Sequence, residues 1–147
     1  MNILKKLILI ILIIYLLSIS VGFSKQIANF TPDIKYITLK TNASNLTVIT
    51  KQIMTKYFES YKQETVKKEL RIQDFKIINI SGITGNSNKL WYTMKYTLKP
   101  INMKTFRMFG MWSYKGSWII NRYAHGWIIR TGNVYKIDSM DLGSQPW

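Results

Sequence analysis

Residues 90–99 read Leu-Trp-Tyr-Thr-Met-Lys-Tyr-Thr-Leu-Lys, and the alternation within them decides the fold class. Apolar side chains occupy every second position from Leu90 to Leu98, whereas threonine and lysine fill most positions between them. Side chains of a strand alternate between its two faces, so this period of two predicts a half-buried antiparallel strand. Trp91 lies on the polar face of that strand, which makes it the best candidate for an exposed or interface aromatic residue.

The preceding segment is the expected hairpin partner of this strand. Residues 72–83 are joined to it by Thr-Gly-Asn-Ser-Asn at positions 84–88, a composition typical of hairpin loops. Within residues 72–83 the apolar positions change parity between Ile77 and Ile78. We expect a β-bulge at one of these two residues, because it would return the apolar side chains to one face.

Three further strands are predicted downstream. Residues 106–114 and 118–130 form a second hairpin around a Lys-Gly turn, and residues 134–140 follow a third turn. The segment 118–130 is apolar on both faces, which predicts either a central position in the sheet or a long, curled strand whose faces are each covered for part of its length. Simple alternation assigns its apolar residues to two faces: Trp118, Ile120, Ala124 and Ile128 on one, and Ile119, Tyr123, Trp127 and Ile129 on the other.

A helix is predicted before the strands. Ser44 or Asn45 can cap its N-terminus, because either side chain can accept a hydrogen bond from the first turn. Apolar residues then recur at spacings of three and four, on one stripe of a helix: Leu46, Ile49, Ile53, Tyr57, Phe58 and Tyr61. This order predicts an α+β domain, a helix packed on a curved antiparallel sheet of four to five strands.

The element order and the segment Trp-Ile-Ile-Asn-Arg-Tyr-Ala-His-Gly-Trp at positions 118–127 support a family resemblance. Residues 45–143 resemble the nuclear-transport-factor-2-like and cystatin-like fold group, in the form of small membrane-tethered or exported bacterial members. The resemblance implies a cone formed by helix and sheet, whose interior in enzymes of the group often contains an Asp–His pair. Folds of this group include enzymes, binding modules and scaffold subunits, so the fold does not specify the function.

The N-terminus predicts the location of the protein. From Leu7 to Phe23 no side chain is charged, and a helix of this length spans about 26 Å, near the short end of what crosses a bilayer. Lys5 and Lys6 precede the run, which favours a cytoplasmic N-terminus with the domain outside. A cleaved signal peptide has the same parts, so a retained single-pass anchor and a secreted protein are both open.

The chain therefore divides into four predicted parts: signal peptide or anchor 1–23, linker 24–44, exported α+β domain 45–143 and tail 144–147.

The 147 residues carry a formal net charge of +14 and include no cysteine and one histidine. No metal-ligand cluster or cofactor motif is visible. Outside a membrane the anions available to such a chain are lipid head groups and cell-wall polymers, and nucleic acid is not an expected partner. Frequent lysine and asparagine are also typical of AT-rich genomes, so the charge has a purely compositional alternative.

Two sets of side chains are candidates for a site. His125, with Asp74 and Tyr123, is the candidate catalytic set, because a general base needs a carboxylate neighbour and access to substrate. Asp138 is the other possible carboxylate partner. A lone strand histidine also commonly has a structural role. Basic and aromatic residues that could stack on and pair with a ligand form the candidate binding set: Trp91, Lys95, Arg107, Arg122 and Arg130.

The expected function is that of a non-catalytic interaction or scaffold module at the cell envelope. Its partner would be the membrane, an anionic envelope polymer, a protein, or a second copy of the chain. One alternative is a small-molecule-binding protein or enzyme that uses the cone interior around His125. The other alternative is an assembly subunit of a conjugation or type IV secretion machine. The chain resembles such subunits in its short cytoplasmic tail, its single predicted membrane helix and its extracytoplasmic domain.

Overall fold

The computed structural model describes residues 34, 37–106 and 113–143 of the chain. The predicted anchor, the tail and Arg107 lie outside these residues. The described elements are β1 (Thr38–Lys40), α1 (Leu46–Ser60), β2 (Ile72–Gly85), β3 (Lys89–Pro100), β4 (Ser113–Lys115), β5 (Trp118–Thr131) and β6 (Val134–Leu142).

The strands form one antiparallel sheet in the order β1-β6-β5-β3-β2, with β4 also paired to β5. The sheet curls around α1, which confirms the predicted α+β class with a helix packed on a curved antiparallel sheet. The central position predicted for residues 118–130 is also confirmed, because β5 pairs with β3 on one side and β6 on the other.

The helix follows the predicted stripe. Asn45 is its N-cap, and the Asn45 side chain accepts a hydrogen bond from the backbone N–H of Val48 at 3.1 Å. Ile49, Ile53 and Phe58 are fully buried against the sheet. Leu46 departs from the prediction and is 38% exposed.

The β2–β3 hairpin contains the expected bulge. The register shifts between Ile77 and Asn79, so the extra residue, Ile78, turns outward and is 54% exposed. Two further shifts, near Ile72 and after Ser81, interrupt this edge strand. Bulges of this kind hinder pairing of an edge with another chain.

The predicted faces of β5 are wrong at one end. Asn121 has a φ of 54°, and Tyr96 and Leu98 of β3 oppose Arg122 and Ile119. The extra residue reverses the alternation, so Ile119 and Ala124 both point to the core while Ile120 points outward. The prediction assumed an uninterrupted pleat, which a single left-handed residue breaks.

Strand β1 falls within the segment predicted as a linker. Thr38–Lys40 pairs with β6, and the N–H of Thr41 donates to the carbonyl of Asn133 at 2.9 Å. The folded sheet therefore begins before the helix. In the described part of the chain no helix has the length and apolar character needed to span a membrane.

Candidate binding face on the outer side of the sheet

An aromatic cluster occupies the face of the sheet that points away from α1. Trp91 on β3 and Trp127 on β5 are direct cross-strand partners, and their ring centroids lie 5.2 Å apart in an edge-to-face arrangement. The ring of His125 lies 5.3 Å from that of Trp91. Tyr123 continues the row along β5, because alternate residues of a strand share a face. We call Tyr123, His125, Trp127 and Trp91 the aromatic row.

Lysine side chains cover the edges of this row. The Lys89 ammonium lies 4.9 Å from the ring centroid of Trp127, and the Lys95 ammonium lies 5.8 Å from that of Tyr123. Each such cation–π contact contributes about 0.5–1 kcal/mol at an exposed site. Lys89 also pairs with Asp138 at 3.1 Å, with both side chains more than 40% exposed. The face therefore combines flat aromatic surface with two ammonium groups, of which that of Lys89 is paired with Asp138.

His125 has a carboxylate neighbour, but not one of those expected. Its Nε2 lies 3.6 Å from Oδ2 of Asp141, whereas Asp74 opposes Lys99 on β2 and β3. His125 opposes Thr93, six residues from Lys99, which corresponds to about 20 Å along β3. Nδ1 of His125 is buried and has no hydrogen-bond partner among the described residues. The sequence does not indicate Asp141 as the carboxylate partner of His125, because the predicted last strand ends at residue 140.

The space between α1 and the sheet is lined by residues other than those expected. Tyr123, His125 and Asp74 all lie at outward positions, while Tyr92, Tyr96 and other apolar residues fill the space beneath α1. Burial raises the pKa of both phenols well above the ordinary value, and the neighbouring Arg122 guanidinium opposes the rise in the pKa of Tyr96 only in part. These phenols are therefore neutral at physiological pH.

The candidate binding residues divide between two faces. Trp91 and Lys95 lie on the outer face, as expected from their shared parity. Arg122 is 1% exposed on the inner face. Arg130 stacks over the inner residue Tyr135 at 5.5 Å, and its Nε donates to the carbonyl of Gly132. Trp127 and Lys89 complete the outer face. Trp127 shares this face with Tyr123, as the alternation predicts, whereas Lys89 gives no sequence signal apart from its charge.

Within the described ranges no group of three histidine or acidic side chains could bind a metal ion. No protein-family model, curated protein or solved structure matches the chain. The resemblance to the nuclear-transport-factor-2-like and cystatin-like group therefore stays a prediction. The physical basis for a functional proposal is the outer face itself, with its aromatic row, its lysines and its exposed aspartates.

Proposed function

We propose that the chain is an exported, membrane-anchored, non-catalytic domain that binds an anionic polymer of the cell envelope through its outer sheet face. The observation that carries this proposal is the aromatic row flanked by the ammonium groups of Lys89 and Lys95. The location is proposed from the uncharged run that ends at Phe23 and the two lysines before it.

The shape of the face suits a polymer better than a small molecule. The row from Tyr123 to Trp127 covers four residue steps of β5, or about 13 Å, so successive units of a chain can contact it together. Aromatic rings stack on flat ring faces with little sequence or unit specificity. Lys95, and Lys89 on exchange of Asp138 for the ligand, would pair with phosphate or carboxylate. The net charge of +14 attracts a polyanion over longer distances.

The test measures binding of the full-length protein in detergent to a glycosylated polyglycerol phosphate by calorimetry. Loss of one stacking partner should weaken binding about 10-fold, within the range known for aromatic stacking, so Trp91→Ala and Trp127→Ala should each show this loss. The matched control is Tyr114→Ala, which removes a 54% exposed aromatic ring from β4, away from the row. Unchanged affinity in both Trp variants, or an equal loss in the control, would contradict the proposal.

A second candidate function rests on the 3.6 Å approach of His125 and Asp141. A carboxylate beside an imidazole can orient it as a general base, so small-molecule chemistry on the outer face is the alternative. His125→Gln separates the two candidates. Chemistry that depends on the imidazole would be abolished in that variant, whereas polymer binding would change by only about twofold, because the two Trp rings remain.

A further inference from the structure

An open groove lies between the first turns of α1 and the edge strand β1, on the other side of the sheet from the aromatic row. Its volume of about 530 Å³ falls in the range typical of small-molecule sites. Leu39 of β1 and Val48 of α1 form its apolar walls, and Thr55 lies further along the helix. Val48 is 43% exposed and the neighbouring Leu46 is 38% exposed. The groove therefore presents apolar surface that the described residues leave uncovered.

All the charged residues that line the groove are basic. Lys40, Lys51 and Lys56 contribute to its lining, which includes no acidic residue. The ammonium of Lys56 donates to the backbone carbonyl of Thr38 at 2.9 Å, so this charge is fixed where the helix meets the strand. Beyond this point a smaller groove of about 330 Å³ is lined by both Lys56 and Glu59, whose opposite charges offset one another. The larger groove, with three lysines and no acidic residue in its lining, therefore favours an anionic group more strongly.

We propose that the larger groove binds an anionic membrane phospholipid, with an acyl chain against Leu39 and Val48 and the phosphate between Lys40 and Lys51. This inference rests on the proposed membrane anchoring. Phe23, at the end of the uncharged run, lies about 14 residues before Ile37, and a chain of that length spans at most about 50 Å. The groove is thus within reach of the bilayer surface. Apolar walls beneath a lysine rim match a lipid, whereas a hydrophilic polyanion would leave the walls uncovered.

The experiment uses the full-length protein in phosphatidylcholine nanodiscs with a photoreactive phosphatidylglycerol, compared with a matched photoreactive phosphatidylcholine. Cross-linked peptides are identified by mass spectrometry. The anionic probe should label residues 39–55 several-fold more than the zwitterionic probe. Each lysine near an anionic surface contributes to binding, so the double variant Lys40→Glu and Lys51→Glu should lower this labelling about 10-fold.

The matched control is Lys67→Glu with Lys68→Glu, the same charge change at exposed positions after α1. It should retain the labelling, and circular dichroism should show that both double variants are folded. Equal labelling by the two probes, or an equal fall in the control, would overturn the inference. Labelling of residues 7–23 but not of residues 39–55 would reject lipid binding in the groove and leave the proposed anchoring intact. No labelling of either region would reject the proposed anchoring itself.

Discussion

Arg122 lies 1% exposed on the inner face of β5, beside the phenol of Tyr96. Removing a buried, paired charge leaves its neighbours unsatisfied and creates a cavity, so Arg122→Ala should lower the free energy of unfolding by about 3 kcal/mol. Arg122→Met should cost less, because an apolar side chain of similar volume refills the site. Urea denaturation measures both. The control, Arg130→Ala at an exposed position, should cost under about 1 kcal/mol; equal losses would contradict this account.

Three buried phenols make the stability sensitive to alkaline pH. Burial raises the pKa of Tyr57, Tyr92 and Tyr96 above the ordinary value near 10. Above about pH 10 these phenols ionise in the unfolded chain but stay protonated in the folded one, so the unfolded state binds fewer protons and stability falls with pH. Each phenol contributes a slope of about 1.4 kcal/mol per pH unit. The stabilisation is present below pH 10 and is lost above it.

Urea denaturation between pH 9 and pH 11 measures this slope. Lysines titrate in the same range, so the wild-type curve alone does not isolate the phenols. The variant Tyr92→Phe isolates the contribution of one phenol, because it removes the ionisable hydroxyl and keeps the ring. Its slope should be shallower than that of the wild type by about 1.4 kcal/mol per pH unit. Parallel curves for the two proteins would refute the prediction.

At the scale of the elements, the bulge at Asn121 sets which residues of β5 face the core. Its φ of 54° is a conformation that asparagine and glycine tolerate and β-branched residues avoid. Asn121→Val should therefore destabilise the protein by about 1–3 kcal/mol. Asn121→Gly should change the free energy of unfolding little, since glycine adopts this conformation without strain. Thermal unfolding compares the two, and equal melting temperatures would show that the backbone conformation at this residue is unimportant.

The same bulge shows why some elements were predictable and others were not. The helix stripe and the alternation of β3 are local patterns, and both survive in the structure. The reversal at Asn121 has no local signature in a strand that is apolar on both faces, so simple alternation assigns Ile119 and Ile120 to the wrong faces. Strand β1 has three residues, too few to show a period. Its pairing with β6 joins residues nearly one hundred positions apart, which a local pattern cannot reveal.

At the scale of the whole molecule, the two proposed sites lie on different sides of the domain and would bind their ligands through different interactions. The outer face combines stacking with charge, whereas the groove combines apolar walls with a lysine rim. Long-range attraction by the net charge of +14 acts on either ligand. Exposed charges are screened beyond about 8 Å at physiological salt, while ring stacking is not screened. Salt therefore separates the contribution of total charge from that of the aromatic row.

The last prediction uses this separation on the full-length protein and the polymer of the calorimetric test. Lys67→Glu with Lys68→Glu lowers the net charge by four without touching the outer face, so it should slow association at low salt and flatten the salt dependence of the affinity. Trp91→Ala should instead weaken binding at every salt concentration and leave that dependence unchanged. Surface plasmon resonance at low and high NaCl distinguishes the two. An unchanged salt dependence in the double variant would mean that the charge away from the face reflects composition and not function.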